Sequence, residues 1–357
     1  MTPLGEVPSA ATPPGQSAPW RVATWNIRHG LGTDGRVDLA RTAREILALG
    51  ADGLAADVLA ADVLAAGGRE AGRLAPRAST ADWGGLDVIG LQEVDVTFGE
   101  RSAFEDQAAR LAALLGMKVA FGAALEHPPT RNGAPPRRYG VALLTPHRLE
   151  QVQHRLLPAH PGIAPPGETR AVLAARVRRA DGTALDVLVT HLDNASPLHR
   201  TAQVQGIVHL TQELAQHTQE LTPTGDSPSA DVPAVLLGDL NADPAAPEVA
   251  ALGATGWREA AALVSRRSSR ARRSSRARRA GLVLRSLAAG ALHGARPAAA
   301  LPALLTAPDL PTHPARLPVR RIDSVWVRGP LEVRDLRVGP RGSSDHRAVL
   351  ATLDPRS

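Results

Sequence analysis

Cysteine is absent from the 357 residues. Disulfides and thiolate metal sites are therefore excluded, and cysteine usage says nothing about redox compartment. Aromatic residues are scarce, at 3% with one Tyr and three Phe, while hydrophobic residues reach 43%. A core must then be built mainly from Ala, Leu and Val. No apolar run reaches the roughly 18 residues that a membrane-spanning helix requires. The opening stretch MTPLGEVPSAATPPGQSAP is Pro-rich. It lacks both a basic start and an apolar centre, so it does not read as a secretory signal. Residues 1–19 are expected to form a disordered leader, and the chain to be cytoplasmic.

Lysine is nearly missing as well: Lys118 stands alone among 41 basic residues. The net charge of +6 is local rather than general. SRRSSRARRSSRARR, from Ser265 to Arg279, repeats RRSSRA and holds eight arginines, so the rest of the chain is mildly acidic. One reading is a tether for nucleic acid or another anionic surface such as lipid. The simpler reading is a solvated low-complexity insertion. A second insertion is marked by LAADVLAADVLAAGG, Leu54 to Gly68. Its five-residue period makes no clean helical face. No chemistry is assigned to it.

The remaining sequence is regular. Strands are expected at Arg21–Ile27, Asp87–Val94, Tyr139–Thr145, Ala171–Val177, Leu185–Leu192, Val232–Leu240, Ile322–Val327 and Arg347–Leu353. Several are near-continuous apolar runs, as suits strands covered on both faces. A helix is expected after Ser102, with Ser102 and Glu105 as a capping box. Its apolar face would carry Phe104, Ala108, Leu111, Ala112 and Leu115. A second should start at Ser196 and Pro197, with Val204, Ile207, Val208 and Leu214 facing inward. Interleaved strands and helices place the chain in the α/β (α+β) class with two layers of sheet. Residues 20–355 read as one domain, with inserts near 51–82 and 265–307.

Polar residues recur at the strand ends: Asn26, Glu93, His191, Asp239 and Asn241, Asp323, then Asp345 with His346. Singly, each has an ordinary explanation as a turn former, surface carboxylate or satisfied histidine. Together they mark a site on loops held by a rigid sheet. Glu93, Asp239, Asn241 and Asp345 offer oxygen ligands suited to a hard cation such as Mg²⁺. Two histidines add proton donors near neutral pH. This combination describes phosphoester hydrolysis. No P-loop or Gly-rich nucleotide signature is present, which argues against phosphoryl transfer from ATP.

TWNIRHG, GLQEVD, RYGVALLT, VTHLD, LLGDLNADP, RIDSVWV and SSDHRAV occur in the order seen in the endonuclease/exonuclease/phosphatase superfamily. The sequence resembles that superfamily from about Arg21 to Leu353, apart from the two inserts. The resemblance implies a four-layer sandwich of two packed mixed sheets flanked by helices, with a Mg²⁺-dependent site (Mn²⁺ as the alternative) at one edge. Carried over, it implies that Glu93 ligates the metal with Asn26 beside it and Asp345 as a further carboxylate. Asp239 would orient or deprotonate the attacking water, and Asn241 would hold a phosphate oxygen. His346, oriented by Asp323, would contact the scissile phosphate. His191 would face it from the other side, stabilising charge or protonating the leaving group. Tyr139 would contact phosphate, and Arg170 in GETR would either contact substrate or form a structural ion pair.

The resemblance leaves the substrate open. Nonspecific nucleases, sphingomyelinases, inositol-phosphate phosphatases and deadenylases share the histidine in THLD. A nuclease-like phosphoesterase acting as a monomer is the leading reading, with a phosphate ester, nucleic acid included, as partner. A sphingomyelinase-like or inositol-phosphate phosphatase-like enzyme is the alternative chemistry. A noncatalytic member binding nucleic acid or anionic lipid through Arg266–Arg279 is the alternative class.

Overall fold

The protein is described from a computed structural model, over residues 18–50, 85–164, 167–220, 232–267 and 310–356. The expected leader, the LAADV insert and the Arg/Ser repeat beyond Arg267 lie outside these residues.

Two six-stranded sheets stack face to face. The first contains β1 (Trp20–Asn26), β2 (Val88–Val96), β3 (Lys118–His127), β4 (Arg137–Thr145), β11 (Leu331–Val338) and β12 (Val349–Pro355). Its order is β11-β12-β1-β2-β4-β3. The second contains β5 (Arg148–Leu157), β6 (Arg170–Arg178), β7 (Ala184–His191), β8 (Ala234–Asp239), β9 (Arg258–Glu259) and β10 (Asp323–Arg328). Its order is β5-β6-β7-β8-β10-β9. In each sheet the central pair is parallel, β1 with β2 and β7 with β8, and the outer pairs are antiparallel. Both sheets are therefore mixed.

The alternation along each strand builds the layers. Val22, Val88, Val141, Leu143, Val187, Val189, Val235, Leu237 and Val325 meet between the sheets. Their neighbours point the other way. Trp25, Ile89, Leu91 and Leu144 pack under helices α1 (Leu39–Gly50) and α2 (Gln107–Leu115). Leu188, Leu236 and Trp326 pack under α3 (Pro197–Glu220) and the short α4 (Pro247–Ala250). A last helix, α5 (Ala260–Arg267), adds Ala260 and Ala261 to the inter-sheet core. The order helix, sheet, sheet, helix is the expected four-layer sandwich. Gly90 lets the sheets approach closely, because a Cβ there would lie 3.0 Å from Val189 and 3.1 Å from the Leu237 Cβ.

All eight expected strands are present within a few residues. The expected capping box is not. Ser102 lies in a 3-10 turn, and α2 is capped instead by Asp106, whose carboxylate accepts from the Ala109 N–H at 2.9 Å. Phe104 consequently falls before the helix and is exposed at 39% rather than on its apolar face. The start of α3 is as expected, with the Ser196 hydroxyl accepting from the His199 N–H. Four strands escaped the sequence reading because they lack an apolar signature: the Ala/Gly-rich β3, the largely exposed edge β5, the two-residue β9, and the bulged β11.

Candidate active site

The functional side chains collect at one end of the stacked sheets because strand register puts them there. His191 pairs with Asp239 across β7 and β8, and Asp239 pairs with Asp323 across β8 and β10. Three polar residues thus stand in one lateral row. A single-residue slip would send the whole row to the opposite face. From the other sheet, β1 brings Asn26. A bulge in β2 brings Glu93, since Leu91 pairs with Ala142 and Val94 with Gly140, leaving Gln92 and Glu93 opposite one residue of β4. Glu93 sits at φ +57° and Asn241 at φ +52°. Such left-handed positions in non-glycine residues are costly and concentrate at functional sites.

Asn26 joins the two sheets. Its amide donates to Glu93 Oε1 and to Asp239 Oδ2, each at 3.0 Å. Asp239 has two roles. Its Oδ1 accepts from the Asn241 N–H at 3.0 Å, closing the turn after the strand. Its Oδ2 faces Asn26 and lies 3.6 Å from both His191 Nε2 and His346 Nδ1. One oxygen thus closes the turn, while the other faces the polar groups of the site. By contrast, Asp243 accepts from the Ala245 N–H and is an exposed turn former.

The two histidines have opposite surroundings. His346 Nδ1 donates to Asp323, whose oxygens lie at 3.1 and 3.0 Å. Burial pulls its pKa down, but Asp323 and Asp239 outweigh burial and hold it up at about 10. Its backbone is fixed by Ser344 Oγ, which accepts from the His346 N–H, and by the Trp25 indole N–H, which donates to the His346 carbonyl. His191 is driven the other way. Burial, then Arg170 and His346, push its pKa well down, so it stays neutral. Arg170 Nη1 lies 3.3 Å from His191 Nδ1. On the other side the Asn241 amide nitrogen lies 3.0 Å from His191 Nε2 and also donates to the Leu192 carbonyl, so both ring nitrogens face donor groups. Asp239 itself is raised to about 7 by burial and by Asp323, against the pull of His346 and Asn26.

Arg170 does form an ion pair, with Glu168 at 2.9 Å, and it is buried against His191. Tyr139 is likewise buried, and burial with nearby Glu93 keeps its hydroxyl neutral. Asp193 is turned away from His191. It caps the start of α3 by accepting from the Ala195 and Ser196 N–H groups. Asp345 stands half-exposed at the rim, with Arg28 Nε 3.6 Å from its carboxylate.

For a cation, Glu93 and Asp345 offer carboxylate oxygens of the kind a hard divalent ion takes, while Asn26 turns its amide nitrogen to Glu93 and its oxygen to the Arg28 N–H. Among the described residues, Asp239, Asp323 and His346 also cluster, their ligand atoms within 4.8 Å of one another. A protonated imidazole already donating to a carboxylate is a poor metal ligand. That chemistry argues against this cluster as the place where a metal sits.

Sequence reasoning missed a supporting shell. The Gln107 amide donates to the His29 carbonyl at 2.8 Å, and its oxygen accepts from the Asp95 N–H, while Arg101 clasps the Asp95 carboxylate. It also missed His313, whose ring lies 4.6 Å from that of His346. Five buried side-chain nitrogens lack a hydrogen-bond partner among the described residues, and three of them, on His29, Arg170 and His313, flank the site. Unsatisfied buried polar atoms are rare, and a functional site is one place where they persist.

A sheet sandwich with this polar edge is the architecture of a phosphoester hydrolase. The model of the Endonuclease/Exonuclease/phosphatase family matches residues 23–346, and the chain belongs to that family. Its members hydrolyse phosphoesters and generally depend on a divalent metal. Among solved structures, an endonuclease/exonuclease/phosphatase from Beutenbergia cavernae DSM 12333 is similar with a TM-score of 0.58 and 20% identity, covering 96% of this chain and 72% of that one. The human Nocturnin catalytic domain with bound sulfate anion gives 0.51 and 18%, covering 94% of each chain. A family protein from Bacteroides thetaiotaomicron gives 0.52 and 14%, covering 94% and 95%. At these identities the likeness is one of fold. No curated protein matches the sequence.

Proposed function

We propose that the chain is a Mg²⁺- or Mn²⁺-dependent phosphoesterase, cleaving a phosphodiester or phosphomonoester by attack of water, with nuclease-like substrates favoured. The observation that carries this is the pairing of opposite protonation states in one row. Asp239, titrating near neutrality, stands between a neutral His191 and an imidazolium at His346. A hydrolytic site needs a base and an acid held apart in this way.

Glu93 and Asp345, with Asn26 beside them, would hold the metal, which when bound supplies charge neutralisation and lowers the pKa of water. Asp239 Oδ2 orients the attacking water and accepts its proton. Asn241 and His191, in contact with each other on one side of the site, would hold a phosphate oxygen, an interaction worth most in a dry, preorganised setting. His346, kept charged by Asp323, faces the same group as a cation and proton donor. Arg170 backs the His191 ring at Nδ1, and Tyr139 lines the site beside Glu93.

The test is hydrolysis of bis(p-nitrophenyl) phosphate and p-nitrophenyl phosphate with Mg²⁺, Mn²⁺ or EDTA. Activity with metal, its loss in EDTA, and a fall of about 10²–10⁴-fold in Asp239→Asn and His346→Ala are expected. Unchanged rates in both variants would refute the assigned roles.

A further inference from the structure

We propose that His313 and Arg320 form an anion subsite that takes a second phosphate of the substrate, beside the one that is cleaved. This deepens the phosphoesterase reading and rests on it.

The two residues are paired across a short hairpin. The His313 N–H donates to the Arg320 carbonyl at 3.0 Å, and the Arg320 N–H returns to the His313 carbonyl at 2.9 Å. Residues directly opposite in an antiparallel bridge present their side chains to the same face. That face lies against the catalytic groups. The His313 ring sits 4.6 Å from His346, tilted by 44°. Arg320 Nη2 comes within 3.5 Å of the Asn241 carbonyl. The hairpin is also pinned to the catalytic backbone: Thr312 Oγ1 accepts from the Ile322 and Asp323 N–H groups, and the Arg347 N–H donates to the Thr312 carbonyl.

Charge on this wall is uncommitted. Arg321, the next residue, is paired with Glu259, and Arg347 donates to the Ala315 carbonyl. Arg320 is exposed, and among the described residues no carboxylate forms an ion pair with it. His313 is half-buried, with Nδ1 enclosed and unpartnered while Nε2 keeps contact with solvent. A proton on Nε2 makes that nitrogen a donor and leaves Nδ1 as an empty acceptor. A fixed cation and a neutral donor on one face suit phosphate oxygens. The scissile phosphate already has Asn241, His191 and His346, so the wall has a different anion to bind. A neighbouring phosphate of a nucleic-acid strand or the second phosphate of a bisphosphorylated small molecule supplies that chemistry.

The experiment compares two substrate pairs with Mg²⁺: thymidine 5′-(p-nitrophenyl phosphate) with and without a 3′-phosphate, and inositol 1-phosphate against inositol 1,4-bisphosphate. In the native protein, KM should be about tenfold lower for the two-phosphate member of at least one pair, and that pair identifies the source. Arg320→Gln should bring the KM ratio to within about twofold of unity, and His313→Gln should reduce it partway. Arg316→Gln, an exposed charge on the same hairpin, should leave the ratio as it is. Added salt should shrink the preference. Equal KM within both pairs in the native protein, or a ratio unmoved by Arg320→Gln, would overturn the subsite while leaving the phosphoesterase intact. No hydrolysis of any of the four would overturn both.

Discussion

Replacing Asp323 by Asn keeps the shape of the hydrogen bond to His346 and removes its charge. Burial alone lowers the His346 pKa, and Asp323 heads the groups that hold it near 10. Without that charge, burial again opposes the imidazolium and only Asp239 and Asp345 support it. His346 should then titrate well below 10, towards its ordinary value of 6.5. At pH 8 about 3% of such a group is protonated, so a step that needs the imidazolium slows about 30-fold, whereas at pH 6 the loss from this cause is under about twofold. The assay is kcat against pH from about 5.5 to 10 with a chromogenic diester at saturating Mg²⁺. The basic limb should move down from near pH 10 to near neutrality. Direct NMR titration of the ring should show the same displacement, and adding His346→Ala should cost little more at pH 8. An equal loss at every pH, with the basic limb unmoved, would show that Asp323 does not act by holding charge on His346.

Asp239→Asn should abolish most activity yet raise the melting temperature at pH 8. The folded-state pKa of Asp239 is raised to about 7, so stability falls as pH rises from the ordinary carboxylate range of about 3.8 through 7. The gain should shrink as pH falls below 7 and vanish only below about 3.8, and a lower melting temperature at pH 8 would contradict it. Glu93→Gln should raise the Mg²⁺ concentration for half-maximal rate by at least about tenfold, with little change in thermal stability in EDTA, read from metal titrations of initial rate. Gly140→Ala should destabilise by about 1–3 kcal/mol in urea unfolding, because its Cβ would meet the Gly122 carbonyl of the neighbouring strand.

Much of this site was legible in the sequence, because its residues sit at the ends of apolar strands and both features survive in one dimension. His191, Asp239, Asp323 and His346 are of this kind. What was lost depends on contacts between distant segments. His313 meets His346 only after the chain has crossed a strand and returned, and nothing local to THP marks it. Glu93 was found as a residue, but the bulge that aims it depends on its pairing with β4. The helix at Leu39–Gly50 did have a local cue, since the Asp38 carboxylate accepts from the Arg41 N–H just ahead of an Ala43, Ile46 and Leu47 stripe. Ser102 misled because its spacing to Glu105 imitates a cap, while Asp106 holds the helix start.

The row His191, Asp239, Asp323 has a consequence beyond alignment. Neighbouring strands are held about 4.8 Å apart by backbone hydrogen bonds, whatever side chains they carry. The separation of base, acid partner and phosphate donor is thus gauged by the peptide backbone, in the least deformable part of the molecule. Loops can then lengthen between strands without changing that gauge. On the proposed subsite, substrate preference would instead rest with the hairpin carrying His313 and Arg320, which could change without retuning the row beneath.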